Sequence, residues 1–405
     1  MDSHRRSGTA KLLALLRDNG PLPMAELGDH LSMSRSQVGQ RVVAMEGQGL
    51  VTRGGRAPSR GGRPSSIVAL SPDLHYLGVD IGATSIAVAI TNGYLDVVEF
   101  AEEEADVRNG PELILGRAMQ LAGKLTAEHP GVRPIGIGIG VPGPVSFRDG
   151  HPVAPPLMPG WDAYPVRDVL FQRLGIPVTV DNDVNIMALG EMQKGVANGA
   201  SNFLFVKVGT GIGCGIVVRG AIHRGANGCA GDIGHIRVGN STTLCHCGRA
   251  GCLEADFGGE ALAREAMAAA RSGASPLLAE WLRQNGTLSA ADVGRASAAG
   301  DRTCNGLIRN GGQLVGQVLA GLVNFFNPSM VIVGGGLANL GHLLLAEIRS
   351  VTINRSTPLA TSELSIVVSE LGNQAGVVGA ALMASDRFLS QADVAGDGPR
   401  TAGSI

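Results

Sequence analysis

Apolar positions in the first fifty residues fall on helical spacing. In TAKLLALLRDNG, Leu12, Leu13, Leu15 and Leu16 share one face before Asn19-Gly20 ends the run. PMAELGDHLSM predicts a second, short helix with Pro23 at its start. Ser34 is a good N-cap for a third, SRSQVGQRVVAMEGQG, with Val38, Val42, Val43 and Met45 turned inward. The pattern then changes to short apolar runs around a Gly/Arg/Pro loop, LVTRGGRAPSRGGRPSSIVALS, which predicts two strands. Helix, helix, turn, helix and a two-stranded wing is the order of a winged helix-turn-helix.

Further along, apolar strands alternate with helical stretches rich in Ala and Leu. Strands are expected at 76–79, 86–91, 135–139, 178–180, 203–208, 216–218, 330–333 and 365–368. Helical stretches include 111–128, 184–193, 259–271 and 306–326. The fold class is therefore α/β. The chain divides into a winged helix-turn-helix head (1–66), a linker (67–75), an α/β body (76–390) and a tail (391–405) expected to be disordered. No fixed-period repeat of the solenoid kind is present.

Composition adds a charge asymmetry. Residues 1–66 hold ten Lys/Arg against five Asp/Glu, a net of +5, and the rest holds 23 against 30, a net of −7. A small basic segment on an acidic body suggests a nucleic-acid arm. The most apolar stretch, 330–348, is broken by three consecutive glycines, Asn339 and His342, so no membrane span is expected. No signal peptide is read at the N-terminus, which makes the expected location the cytoplasm. Its six Cys are then reduced, and clustered ones read as metal ligands.

Five segments carry chemistry. In GVDIGATSIAVAI, Asp80, Gly82 and Thr84 lie in a turn between strands, where backbone N–H groups can approach phosphate and a carboxylate can hold Mg²⁺ through water. A hairpin needs glycine there in any case. A second loop, KVGTGIGCGIVVRG, contains Gly209, Thr210 and Gly211, and a third, VIVGGGLAN, holds Gly334, Gly335 and Gly336 where an adenosine can rest. In VTVDNDVNIMALGE, Asp181, Asn182 and Asp183 stand at the carboxyl end of a strand, where α/β sheets place ligands. Asp183 is a candidate general base for a hydroxyl attacking a γ-phosphate, although one of the two aspartates can be only a helix cap.

The fifth segment is the strongest signal. GDIGHIRVGNSTTLCHCGRAGCLE brings together His235, Cys245, Cys247 and Cys252, the donor set of a closed, structural zinc site, with His246 the competing fourth ligand. The site is expected to hold Asp232 and Glu254 near Asp183. Cys214 and Cys304, outside this cluster, read as packing residues.

With these motifs in their order, the chain resembles the ROK family (repressors, open reading frames, kinases) over about residues 8–388. DIGAT, VDNDVN, GTGIG, GDIGH, CHCGRAGCLE and VIVGGG carry the resemblance, CxCGxxGCLE with high specificity. It implies a two-lobed, actin-like ATPase or sugar-kinase fold with sugar and ATP in the cleft. Asp183 becomes the catalytic base, and Asn182, His235 and Glu254, with Asp232 beside them, hold sugar hydroxyls. His235 would also bind zinc through its other ring nitrogen. Asp80, Gly82, Thr84, Gly209, Thr210 and Gly211 would face phosphates with Mg²⁺, and Gly334–Gly336 the adenosine. GVPGPV (140–145) resembles a sugar-side loop. The chain departs from DIGGTK at Ala83 and Ser85, and from GEIGH at Asp232.

The head resembles that of the family's repressor branch. Arg35, Ser36, Gln37, Gln40 and Arg41 are its candidate major-groove contacts, and Arg63 a candidate minor-groove contact. Two functions stay open. One is a regulator, responsive to a sugar or sugar phosphate, that acts as a homo-oligomer on a two-fold double-stranded DNA operator. The other is an ATP-dependent hexose or amino-sugar kinase, alone or combined with regulation.

Overall fold

The computed structural model describes residues 8–56, 65–156 and 158–392. Arg60 and Arg63 of the wing loop lie outside these residues, as does the tail beyond 392.

The head comprises α1 (Gly8–Asn19), β1 (Leu22–Pro23), α2 (Met24–Leu31), α3 (Arg35–Gly47), β2 (Val51–Arg56) and β3 (Ser66–Leu70). Ser34 caps α3 in a reciprocal box: its hydroxyl accepts from the Gln37 amide, and the Gln37 side chain accepts from the Ser34 amide at 2.9 Å. Pro23 precedes α2 in extended conformation and pairs with β3, so the wing sheet has three strands, β1-β3-β2. Val43 is 54% exposed, against expectation. Val38, Val42 and Met45 already fill the inward stripe, and one residue beyond Val42 the helix has turned about 100° away. Val68 and Leu70 complete the head's core, so the head extends to Leu70 and not only to residue 66. Only residues 71–74 connect it to the body.

The body's first lobe contains β4 (His75–Ile81), β5 (Ser85–Asn92), β6 (Val97–Glu104), α4 (Pro111–Glu128), β7 (Pro134–Val141), a small hairpin of β8 (Val145–Ser146) and β9 (His151–Pro152), α5 (Val166–Leu174), β10 (Val178–Asn182) and α6 (Asp183–Lys194). The second lobe contains β11 (Phe203–Val208), β12 (Ile212–Val218), β13 (Ala221–Ile222), α7 (Leu253–Phe257), α8 (Gly259–Arg271), α9 (Pro276–Asn285), α10 (Ala290–Ala298), α11 (Arg302–Phe326), β14 (Met330–Gly334), α12 (His342–Arg355), α13 (Pro358–Thr361) and β15 (Ser365–Val368). α14 (Ala375–Ala392) follows and returns to the first lobe.

The two sheets share one topology. The first runs β10-β7-β4-β5-β6 and the second β15-β14-β11-β12-β13. In each, an antiparallel three-strand meander is extended by two parallel strands. The β4–β5 turn and the β11–β12 turn are thus equivalent positions in two halves. Each half has its own apolar core of Val, Ile, Leu and Ala.

α14 ties the parts together. It packs on β4, β7 and α6, and so closely that a Cβ at Gly138 would lie 1.8 Å from the Ala380 carbonyl. Its far end places Leu389 in the head's core. The helix reaches Ala392, so Gln391 is helical where a disordered tail was expected. Among the described residues, no helix is long and apolar enough to cross a membrane.

Candidate functional site

The equivalent turns and the carboxyl ends of the parallel strands face each other across one cleft of about 1590 Å³. Its walls include Asp80, Gly82 and Thr84 from the β4–β5 turn, Gly209, Thr210 and Gly211 from the β11–β12 turn, and Gly334–Gly336 after β14. Asn182, Asp183, Asp232, His235 and Glu254 line the same space. All the residues proposed for sugar and nucleotide therefore converge, although they span more than half the chain. The volume exceeds the range of about 300–1,000 Å³ usual for one small ligand, which leaves room for a sugar and a second group.

At the end of β10 the three polar residues divide the work. Asn182, not an aspartate, caps α6: its Oδ1 accepts from the Val184 and Asn185 amides, and its Nδ2 donates to the Gly143 carbonyl at 2.8 Å. This fixes the 140–145 loop against the strand end and leaves one amide hydrogen of Asn182 for the cleft. Asp181 is buried and accepts from Arg224, whose guanidinium stacks on Phe147 at 3.8 Å. Asp183 remains, with its Oδ1 accepting from the Val184 amide at 2.9 Å.

Its other oxygen, Oδ2, is ion-paired with Lys207 of β11, a residue the sequence reading passed over. The signal was a lone lysine inside the apolar run FLFVKV. Burial works against the Lys207 charge, yet the carboxylates of Asp183 and Asp80 hold its pKa above the ordinary value. Asp80 is buried, and its Oδ1 makes no hydrogen bond. Burial pushes its pKa up to about 7, against the pull of Lys207.

The Glu254 carboxylate accepts from the Ile212 amide at 3.1 Å, which aims it at the β11–β12 turn. The metal candidates also converge: ligand atoms of His235, Cys245, Cys247 and Cys252 all lie within 4.8 Å of one another. Cys247 Sγ is 3.6 Å from Cys252 Sγ, and Cys245 Sγ is 3.5 Å from His235 Nδ1. Sulfur ligands about 2.3 Å from a tetrahedral ion stand about 3.8 Å apart, so the set fits such an ion. His246 points away and pairs with Glu260 at 2.9 Å, so His235 is the histidine that stands with the three cysteines. His235 Nε2 looks toward Asp232, 3.8 Å away. The candidate metal cluster therefore meets the cleft wall through one imidazole. Cys214 and Cys304 are buried as expected; Cys229, not weighed from the sequence, is exposed and lines the cleft.

On the head, Arg35, Ser36, Gln37 and Gln40 are exposed along the first turns of α3. Gln37 is engaged in the capping box, and Arg41 is half-buried, donating to the Thr9 hydroxyl at 3.4 Å. Arg53 pairs with Glu46 at 2.8 Å. Among the described candidates, Arg35, Ser36 and Gln40 are thus exposed and outside the capping box.

Two sheets of one topology around a glycine-lined cleft, preceded by a helix-turn-helix, define a sugar-kinase-like protein with a DNA-binding head. The ROK family model matches residues 76–387, and an AsnC-type helix-turn-helix domain matches residues 10–46. The chain belongs to the ROK family. It is 36% identical to a glucokinase of Halalkalibacterium halodurans over 76% of this chain and 94% of that one. It is 30% identical to a xylose repressor of Caldicellulosiruptor bescii over 94% of this chain and 96% of the repressor. A solved ROK family transcriptional regulator, a homolog of the E. coli MLC protein, matches the fold with a TM-score of 0.80, at 23% identity, over 96% of this chain and 97% of its own. A Streptomyces griseus ROK glucokinase, solved with glucose and AMPPNP, matches with a TM-score of 0.68 at 30% identity, over 76% and 99%.

Proposed function

We propose that this protein is a sugar-responsive, DNA-binding transcriptional regulator of the ROK type. The observation that carries the reading is the course of α14. One end lies against the cleft, where a Cβ on Gly376 would meet the Asp80 carboxylate at 2.0 Å; the other supplies Leu389 and Asp386 to the head. A sugar that prefers one arrangement of the lobes therefore biases the head through a packed helix. Glu254, Asp232, His235 and Asn182 are the proposed hydroxyl-binding residues, with Asp183 beside them.

The metal proposed is Zn²⁺, held by His235, Cys245, Cys247 and Cys252. With four protein ligands its contribution is structural: it pins the loop carrying Asp232 and Glu254 to the cleft wall. A homo-oligomer would present two heads to a two-fold DNA site, in the cytoplasm. The candidate DNA surface is the start of α3, with Arg35, Ser36, Gln40 and, less directly, Gln37 and Arg41; Arg63 is retained as a minor-groove candidate.

The kinase alternative is favoured by Asp183 at its strand end and by the likeness to glucokinases, with ATP held by the glycine turns; Lys207 weighs against it. Selection of bound fragments from randomised DNA tests the regulator reading. An enriched site with two inverted half-sites is expected, and no enrichment over input contradicts it.

A further inference from the structure

Taking the cleft as a sugar site, as the proposed function has it, we infer that Lys207 is a resident cation. It engages Asp183 and keeps a divalent metal from the Asp80–Asp183 pair, so that bound sugar leaves unphosphorylated.

The geometry is unusual for a strand. Lys207 is the one charged residue of β11, and its side chain is only 15% exposed. A buried ammonium is costly unless a carboxylate meets it, and the one that does is the proposed base. Asp183, 6% exposed, has donors on both oxygens: the Val184 amide on Oδ1 and the Lys207 ammonium on Oδ2. α6 offers Asp183 only the Val184 amide, which it shares with the Asn182 cap, so the donor on Oδ2 is Lys207.

Phosphoryl transfer from a nucleoside triphosphate makes two demands here. A carboxylate must take the hydroxyl proton as the sugar oxygen attacks the terminal phosphorus and the bridging P–O bond breaks toward the diphosphate. Hard oxygen ligands must also hold a divalent cation against the phosphates. Lys207 interferes with both. Lys207 already occupies Asp183 Oδ2, so that oxygen is not open to a sugar hydroxyl, and an ammonium beside the two aspartates repels a second cation. Asp80 is a poor alternative ligand, because its carboxyl is buried and packed closely against Gly376 of α14. The residues of this cleft do not fit a catalytic Mg²⁺, whereas they do fit an uncharged polyol among carboxylates and amides.

Mn²⁺, followed by electron paramagnetic resonance on the full zinc-loaded chain, probes the pair without any sugar. Wild-type protein is expected to bind no Mn²⁺ in the cleft at millimolar concentration. Lys207→Met keeps the apolar stem and is expected to bind Mn²⁺ at least about tenfold more tightly, as follows from removing one nearby positive charge. Adding Asp80→Asn should abolish that gain. Circular dichroism and zinc content control for folding. Should Lys207→Met not fold, the wild type decides alone: Mn²⁺ binding that Asp80→Asn removes overturns the inference. A second arm offers MgATP with glucose, xylose and other aldoses to the wild type. Absent ADP release is expected, and sugar-dependent release lost in Asp183→Ala overturns it. Should no aldose bind in calorimetry while the Mn²⁺ results hold, the cation assignment stands and the sugar reading of the cleft fails.

Discussion

Arg17 of the head's first helix donates to Asp386 of the body's last helix across 2.7 Å. Arg17 is only 6% exposed and is also bound by Asp18 and Ser385. Around it, Phe388 meets Tyr76 edge-on, and the Tyr94 hydroxyl accepts from the Leu70 amide at 2.8 Å. The head is therefore seated on the body through a shared core, and movement of α14 cannot leave it unaffected.

Asp386→Ala removes one partner of a buried guanidinium while Asp18 remains. The expected cost is roughly 1.5–3 kcal/mol, the range for a hydrogen bond to a charged group. Urea unfolding followed by circular dichroism reads it, with weaker binding to the selected DNA alongside. An unchanged midpoint means that the ion pair does not hold the head.

Cys247→Ser removes one thiolate of a four-ligand set. Loss of bound zinc by elemental analysis and a lower melting temperature are expected. His246→Ala should keep full zinc, because that ring faces Glu260. The reverse result would make His246 the ligand.

Asp80 gives a pH signature. Its folded pKa of about 7 lies above the ordinary aspartate value of 3.8, so the folded state holds the proton more tightly than the unfolded chain. This contribution is fully present below the unfolded pKa and is lost as pH rises toward about 7. Asp80→Asn should flatten the fall in stability between pH 4 and 7, as read by denaturant titrations at several pH values. Parallel curves for the two proteins would contradict the burial argument.

Arg35 and Arg41 separate two kinds of head residue. Arg35→Ala removes an exposed donor and should weaken specific DNA binding by about tenfold, the low end of a base contact. Arg41→Ala should act mainly on head stability, since its side chain lies along α1. Equal losses of affinity with unchanged stability would place both in the groove.

Much of this was legible because the signals were local. All eight expected strands are present, and His235, Cys245, Cys247 and Cys252 meet as their donor chemistry required. What was missed depends on tertiary context. β6 is an edge strand whose VVEFAEEE alternates weakly, so its acidic side chains mask it. The duplication of the two halves has no sequence period, because equivalent strands share topology and not residues. Lys207 is one lysine within the apolar strand FLFVKV, and only the fold sets Asp183 opposite it. α14 is apolar on most faces, since it is buried between β4, β7 and α6, and nothing local shows that Leu389 will complete a core begun at Ala10.

The most direct test of sugar-responsive regulation is fluorescence anisotropy of the full chain on its selected DNA site. Salt is held near physiological, unrelated DNA competes, and aldoses and their phosphates are titrated in. The expected result is specific binding that one sugar class shifts severalfold, with the shift lost in Glu254→Gln. Tight binding that no sugar changes, or no specific binding at all, would contradict the account.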